Sequence, residues 1–323
     1  MHAVLRRPAW LAICLHIFDR LPIAIIDCLP IPLLHYRLVS IFIFQSVLSQ
    51  QSYYNDVNLN LTGLSLKNEL ATKVINTHSQ FLSYSQIWDA CKATDKNPNN
   101  NQEVLLIYGW SNTDGNVTSD RTRGINNNSG SVGDWNREHV YSRSLGTPNL
   151  GEAGPGADAH HLRPSDVQKN SSRGNTKFAD GSGAASGASN GGWYPGDEWK
   201  GDVARMMMYM YLRYGNQTLP TNVGVGSSVP TDTNMIDLFL QWNAEDPVSD
   251  VEKQRNPYHE DTTNNTYAQG NRNPFIDNPR LATRIWGGPE AEDIWGIYTN
   301  QDTEAPSTPT NLTVSEITTS SIK

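Results

Sequence analysis

An α+β fold dominated by helices follows from three features of the 323-residue chain. Apolar side chains recur three and four residues apart in several separate stretches, which is the period of one helix face. One β-rich run, Val104-Leu105-Leu106-Ile107-Tyr108, follows an Asn-rich turn and reads as a strand over residues 103–110. Ser165 and Gln168, just after Pro164, make a Ser-x-x-Gln capping box that predicts a short helix ending near Gly174. With 37% hydrophobic residues, the chain can bury a sizeable core in one large domain or two ordinary ones.

The first fifty residues differ from the rest. Apolar runs at 10–18, 21–34 and 38–48 are cut by Pro22, Pro30 and Pro32, and none reaches the roughly 18 to 20 apolar residues that a membrane span needs. Arg37, the apolar core from Leu38 to Phe44, and the small exit residues Ser46 and Ser49 follow the pattern of a secretion signal. Residues 1–50 are therefore expected to be a leader removed on export; the competing reading is a buried apolar arm. Cys14 and Cys28 would leave with it, so Cys91 would stand alone and no internal bridge is expected.

Leu66, Leu70, Ala71, Val74 and Ile75 predict the first helix of a domain spanning residues 51–301. Tyr84, Ile87, Trp88 and Cys91 predict a second, with Cys91 as a small buried hydrophobe. Residues 111–133, rich in Asn, Gly, Ser and Thr, read as a loop, and residues 181–192 as a Gly/Ser/Ala-rich surface segment. Pro195-Gly196-Asp197 opens a helix carrying Trp199, Val203, Met206, Met207, Met210 and Tyr214 and closed by Gly215; its methionines are core filler. Another helix is expected to begin near Asp232, with Met235, Leu238, Phe239 and Trp242 turned inward, and the stretch from Gln269 to Phe275 reads as a polar loop ending in a packed aromatic. Residues 302–323 combine a Pro/Thr linker with Asn311-Leu312-Thr313-Val314, which resembles the first strand of a fibronectin type III module without the remainder.

The formal net charge of −8 argues against a general nucleic-acid coat protein, because non-specific phosphate binding wants a basic face. Between residues 134 and 180 the charges balance, with six Lys/Arg against six Asp/Glu, which leaves room for a local basic cleft.

That region holds the chemistry: Asp134-Trp135-Asn136-Arg137-Glu138-His139, then Asp158-Ala159-His160-His161-Leu162-Arg163-Pro164-Ser165-Asp166, then Asn170, Arg173 and Asn175. An imidazole can take a proton near neutral pH, and a carboxylate suits Mg²⁺, which prefers oxygen ligands. Adjacent Glu138 and His139 face opposite ways within a strand, yet both can reach one centre at a strand end. Asn170 and Arg173 would share a helix face, the first offering an amide oxygen and the second a bidentate fork for phosphate. Such a set can hydrolyse a phosphodiester. Taken singly, the Glu-His pair also fits a bare surface, Asn170 a helix-surface amide, and Arg173 a charge that favours a helix C-terminus. His160-His161 resembles a zinc pair, but neighbours on a strand cannot both face one metal and no Cys or third clustered His is at hand; packing or hydrogen bonding fits better.

The runs Asn136-Arg137-Glu138-His139-Val140-Tyr141-x-Arg143-Ser144, Asp158-x-His160-His161-Leu162-Arg163-Pro164-Ser165 and Asn170-x-x-Arg173-Gly174-Asn175 strongly resemble the endonuclease I family of secreted and periplasmic nucleases. The resemblance extends over residues 53–286, ending with Gln269-Gly270-Asn271-Arg272-Asn273-Pro274-Phe275-Ile276-Asp277. It implies helices around a small ββα-metal (His-Me) finger, and a one-metal enzyme that cuts DNA, and often RNA, with little sequence preference, leaving 5′-phosphate ends. It further implies His139 as general base, Glu138 and Asn170 as ligands of Mg²⁺ (Mn²⁺ or Ca²⁺ in its place), and Arg173 at the phosphate. Asp158, Arg137, Arg143 and Asn175 would support the site or touch substrate. The expected partner is nucleic acid, with no membrane span in the mature chain, no obligate protein partner, and secretion as the destination. Residues 256–268 are longer than the family pattern, and the cysteines that bridge some relatives are missing. The alternative is a secreted adhesion module on an inactive nuclease scaffold; an intact Glu138, His139 and Asn170 set speaks against it.

Overall fold

In the computed structural model, which describes residues 52–298, the first helix, α1 (Gly63–Thr77), buries Leu66, Leu70 and Val74 on one face. Ile75 lies off that face, 44% exposed. The described elements belong to the unit Tyr54–Lys323, the other unit being Met1–Tyr53. The expected leader at 1–50 and the linker and strand at 302–323 lie outside the described residues. No described helix is long and apolar enough to cross a membrane.

A 3-10 turn at Tyr84–Gln86, closed by a Ser83/Gln86 capping box, leads into α2 (Ile87–Thr94), which buries Ile87, Ala90 and Cys91. These pack with Leu82, Val104, Leu106, Trp135 and Leu162. Cys91 is free, and burial pushes its thiol pKa up, so it is the inert hydrophobe expected.

A three-stranded antiparallel sheet follows: β1 (Lys96–Asn97), β2 (Asn100–Leu105) and β3 (Thr122–Gly124), in that order. The strand expected over 103–110 therefore stops at Leu105. Leu106 to Tyr108 are buried but irregular, because their partners diverge: Leu106 N–H donates to the Arg121 carbonyl and Ile107 N–H to that of Pro164. Tyr108 even adopts a left-handed φ of 73°. The loop expected at 111–133 includes β3, held by the buried Arg123 guanidinium, which bonds Asp166 at 2.6 Å and Asp120 at 3.0 Å.

The next pair, β4 (Trp135–His139) and β5 (Leu162–Asp166), is antiparallel, with Glu138 opposite Arg163 and His139 opposite Leu162. Helix α3 (Val167–Arg173) leaves the end of β5 directly and stops at Gly174, as expected. Its cap is Asp166, which accepts from the N–H groups of Gln168 and Lys169, and not Ser165. Ser165 fails as a cap because its side chain, alternating with Asp166 along the strand, is buried towards the Ile107 carbonyl.

Helix α4 (Lys200–Tyr214) starts five residues after the expected Pro195, and every side chain from Gly201 to Leu212 is buried. It is the axis of the domain, packed by α1 and by the later helices α5 (Asp237–Glu245) and α7 (Pro274–Asp277). The segment expected to open a helix at Asp232 is instead a strand, Asp232–Ile236, paired with Ser228–Val229; Met235, Leu238, Phe239 and Trp242 are buried as expected. Residues 181–192 are not wholly irregular either, since Ser186–Gly187 pairs with Trp193–Tyr194.

Polar side chains lie deep in this shell. Arg163 pairs with Asp95 and, at 3.0 Å, with Asp202; Arg205 pairs with Glu252 at 2.6 Å; Arg255 pairs with Asp95; all six are at most 1% exposed. They tie β5 to α2, α4 and α6 (Asp250–Glu260). The stretch after Gln269, expected as a polar loop, is buried, because its polar groups bond inward. Gln269 donates to Asp158 at 3.0 Å, Asn271 to the Tyr209 hydroxyl at 2.9 Å, and Asn273 caps α7. Gly270, at φ 89°, leaves no room for a Cβ against Ser79 and the Thr77 carbonyl.

Breaking a buried ion pair strands its partner in low dielectric. Asp95→Ala should lower unfolding free energy by about 3–5 kcal/mol, whereas loss of the exposed Lys253–Asp250 pair should leave the urea midpoint unmoved. Burial also holds His78, His160, His161 and His259 below their ordinary 6.5, to about 4 for His160 and His161. These four imidazoles then bind fewer protons folded than unfolded below pH 6.5, and they outnumber the carboxyls of Glu138, Asp202 and Asp246, whose raised pKa values act in the opposite sense. Stability should be complete above that value and should decline as pH falls from there towards 4, read as urea midpoints at pH 7.5 and 5.5.

Candidate active site

Strand alternation sorts the side chains of β4: Asn136 and Glu138 face α3, while Arg137 and His139 face Tyr84 on the 3-10 turn before α2. At the end of the strand both faces open on one cleft of about 370 Å³, lined by Arg137, Glu138, His139, Arg143, Asn170 and Asn175 together with Ser142, Ser144 and Asn149. Six of the eight residues expected at the site therefore meet. Asp158 and Arg173 do not line it.

Glu138 is 2% exposed. Its Oε1 accepts from the Tyr108 hydroxyl at 3.0 Å and from the Arg173 guanidinium at 3.2 Å. Burial pushes its carboxyl pKa up to about 7 against the pull of the Arg173 charge and the Tyr108 hydrogen bond. Oε2 accepts no hydrogen bond among the described residues and is the oxygen left for the cleft.

The His139 ring stacks on Tyr84, with centroids 5.1 Å apart. Its Nε2 lies 2.9 Å from the Gly156 carbonyl, which can only accept, so Nε2 carries the hydrogen and Nδ1 keeps its lone pair. Burial, and the neighbouring His161, push the imidazole pKa down to about 3, and it stands neutral at pH 7. Gly156 belongs to a 3-10 turn, Gly154–Ala157, packed so tightly on the Gly151 carbonyl that a Cβ would not fit. The same turn presents the Pro155 carbonyl to His161 Nε2 at 2.7 Å. His160 Nε2 lies 3.2 Å from the Asn271 carbonyl, so both histidines of the pair are packed and hydrogen-bonded.

Asn170 donates its amide N–H to Asn136 Oδ1 at 2.7 Å, which orients the amide; its oxygen accepts no hydrogen bond among the described residues. A hard cation fits this donor set: one free carboxylate oxygen from β4, one free amide oxygen from α3, and an open cleft for water and phosphate. Among the described residues no group of three or more His, Cys, Asp or Glu is placed to hold a metal.

Arg173 corrects the expectation of a phosphate fork. It is fully buried, and its guanidinium donates to Glu138, to the His139 and Val140 carbonyls and, at 2.7 Å, to Ser142 Oγ. A group so engaged holds the end of β4 in place and has no fork to offer a ligand. Arg143 also faces the cleft: its side chain is 35% exposed, and among the described residues it pairs with the exposed Glu152 at 3.3 Å. Arg137 lies over the Tyr84 ring and donates to the Tyr84 carbonyl. Asn175 is exposed at the rim, 3.3 Å from Ser144 Oγ.

Asp158 lies behind the site. It caps the turn that leads into β5 and accepts from Gln269, from the Tyr209 hydroxyl at 2.8 Å and from the Tyr214 hydroxyl at 2.9 Å. Burial would raise its pKa, but His78, His160 and the Gln269 bond outweigh it and hold the carboxyl below the usual range. Tyr108, Tyr84 and the Gly156 carbonyl escape sequence reading, because no local pattern signals a hydroxyl or a carbonyl aimed across the fold.

Arg173→Ala should cost about 3–5 kcal/mol of stability in the absence of any ligand, since it leaves buried Glu138 unpaired; Glu138→Gln in the same chain should recover part of the loss. An unchanged urea midpoint for Arg173→Ala would restore the phosphate-binding reading.

The family model of Endonuclease I matches residues 62–280, a span that contains β4, β5 and α3. An extracellular ribonuclease of Bacillus amyloliquefaciens is 42% identical over 248 residues, covering 73% of this chain and 78% of the relative. An extracellular ribonuclease of Bacillus subtilis (strain 168) is 43% identical over 235 residues, covering 70% and 75%. On the length of the family match and the identity to these two relatives, the chain belongs to the Endonuclease I family.

Proposed function

We propose that the chain is a secreted, Mg²⁺-dependent endonuclease that hydrolyses the phosphodiester backbone of RNA and DNA with little sequence preference, leaving 5′-phosphate ends. The observation that carries this reading is the convergence of Glu138, His139 and Asn170 on one cleft, with His139 Nε2 fixed on the Gly156 carbonyl. Secretion and action on RNA are supported by the two Bacillus relatives, both extracellular ribonucleases.

On this reading β4, β5 and α3 form a ββα-metal (His-Me) finger. Nδ1 of His139 accepts the proton of the attacking water, with Tyr84 and Gly156 keeping the ring in register. Glu138 Oε2 and Asn170 Oδ1 hold Mg²⁺, or Mn²⁺ or Ca²⁺ in its place. Bound there, the ion supplies charge neutralisation at the phosphate and at the departing oxygen. Arg143, facing the same cleft, receives a non-bridging phosphate oxygen, and Asn175 and Arg137 border the strand's path. Contacts of this kind read backbone and not bases, which accounts for weak sequence preference.

Paired digestion of plasmid DNA and ribosomal RNA under one metal condition tests the reading. Cleavage should require Mg²⁺ and stop with EDTA. His139→Ala should lower the rate by about 10²- to 10⁴-fold, the usual worth of a general base, and near-wild-type cleavage by that variant would overturn the assignment.

A further inference from the structure

A second cavity, of about 220 Å³, lies behind the cleft wall. Tyr108 separates the two, since its hydroxyl bonds Glu138 while its residue also lines the cavity. It is lined by Tyr108, the buried Trp199 and the 39% exposed Trp110, together with the small residues 183–185, part of the Gly/Ser/Ala-rich segment to which the sequence assigns no role. The volume falls below the roughly 300–1,000 Å³ of pockets for drug-sized ligands and suits one planar ring system.

Charge divides this region. Lys169 sets its ammonium 4.3 Å from the Trp110 ring centroid and makes no ion pair among the described residues, and it directly precedes Asn170 on α3. Glu198 lines the cavity, paired with Arg121, and Asp197 beside it accepts from the Tyr194 hydroxyl. Glu198, its charge offset by Arg121, and Asp197 can both accept from N–H donors on nucleobase edges. An anion is thus favoured at Lys169, one residue before Asn170 on α3, and a flat polar-edged ring at Trp110.

We propose that this cavity is a nucleobase subsite: a base one or two nucleotides from the scissile phosphate stacks on Trp110, an N–H donor of its edge (exocyclic amino or ring N–H) towards Glu198, while Lys169 meets the intervening phosphate. The inference rests on the nuclease reading and extends it, because single-stranded substrate is bound through stacking that tolerates every base.

The test compares KM for a single-stranded oligonucleotide with KM for a matched strand of abasic nucleotides, in Mg²⁺. Stacking energies of the usual size make the wild-type KM for the abasic strand about 5- to 150-fold higher. Trp110→Ala should bring the ratio close to one, Trp110→Phe should largely preserve it, and Lys169→Gln should raise both KM values and flatten their salt dependence. A wild-type ratio near one, or a ratio that Trp110→Ala leaves intact, overturns the subsite. Failure of the wild-type chain to cut the intact strand would instead overturn the nuclease reading on which it rests.

Discussion

A carboxylate taken out of water requires a cation and hydrogen-bond donors, and Glu138 finds them in Arg173 and Tyr108. The consequences reach beyond neutralising one charge. The same guanidinium grips the His139 and Val140 carbonyls and Ser142, so a single buried side chain fixes the strand end from which both Glu138 and His139 project. With one carboxylate oxygen occupied, the other is left facing the cleft. Position and availability of the candidate metal ligand therefore come from one interaction.

Behind it the fold repeats this solution on a larger scale. Arg163, opposite Glu138 across the β4–β5 pair, enters a dry network of three guanidiniums and three carboxylates that spans four elements. Buried pairs of this kind contribute little net stability relative to apolar packing, but they are costly to break, and they accept few alternative geometries. Asp158 does the same for the turn into β5, drawing Tyr209, Tyr214 and Gln269 around it. A site whose groups must be held within a fraction of an ångström gains from polar partners that fit only one way.

Electrostatics at the surface follow a different logic. The chain carries a net charge of −8, yet Arg143 places a partly exposed cation at the cleft and the half-buried Lys169 another beside Trp110. In a chain of like net charge, long-range attraction for an anion is weak, and short-range contacts from such local cations count for more.

The sequence by itself determined the helical periods, the burial of Cys91, the end of α3 at Gly174, and the grouping of Glu138, His139 and Asn170, because these are set by local spacing and by motifs confined to a few residues. It also named Asp158 and Arg173, which the structure buries outside the cleft lining, Arg173 bonded to Glu138 and Asp158 to Gln269, Tyr209 and Tyr214. Local pattern failed wherever a partner distant in the chain decides the outcome. Leu106 to Tyr108 leave the sheet because their hydrogen bonds go to Arg121 and Pro164, Asp166 displaces Ser165 as cap because strand alternation buries the serine, and Gln269 to Asn273 turn inward to serve Asp158, Tyr209 and α7. Only the tertiary structure made Arg173 a buried clamp and left Arg143 to face the cleft, since burial and long-range hydrogen bonding are properties of the packed chain and not of any short stretch of it.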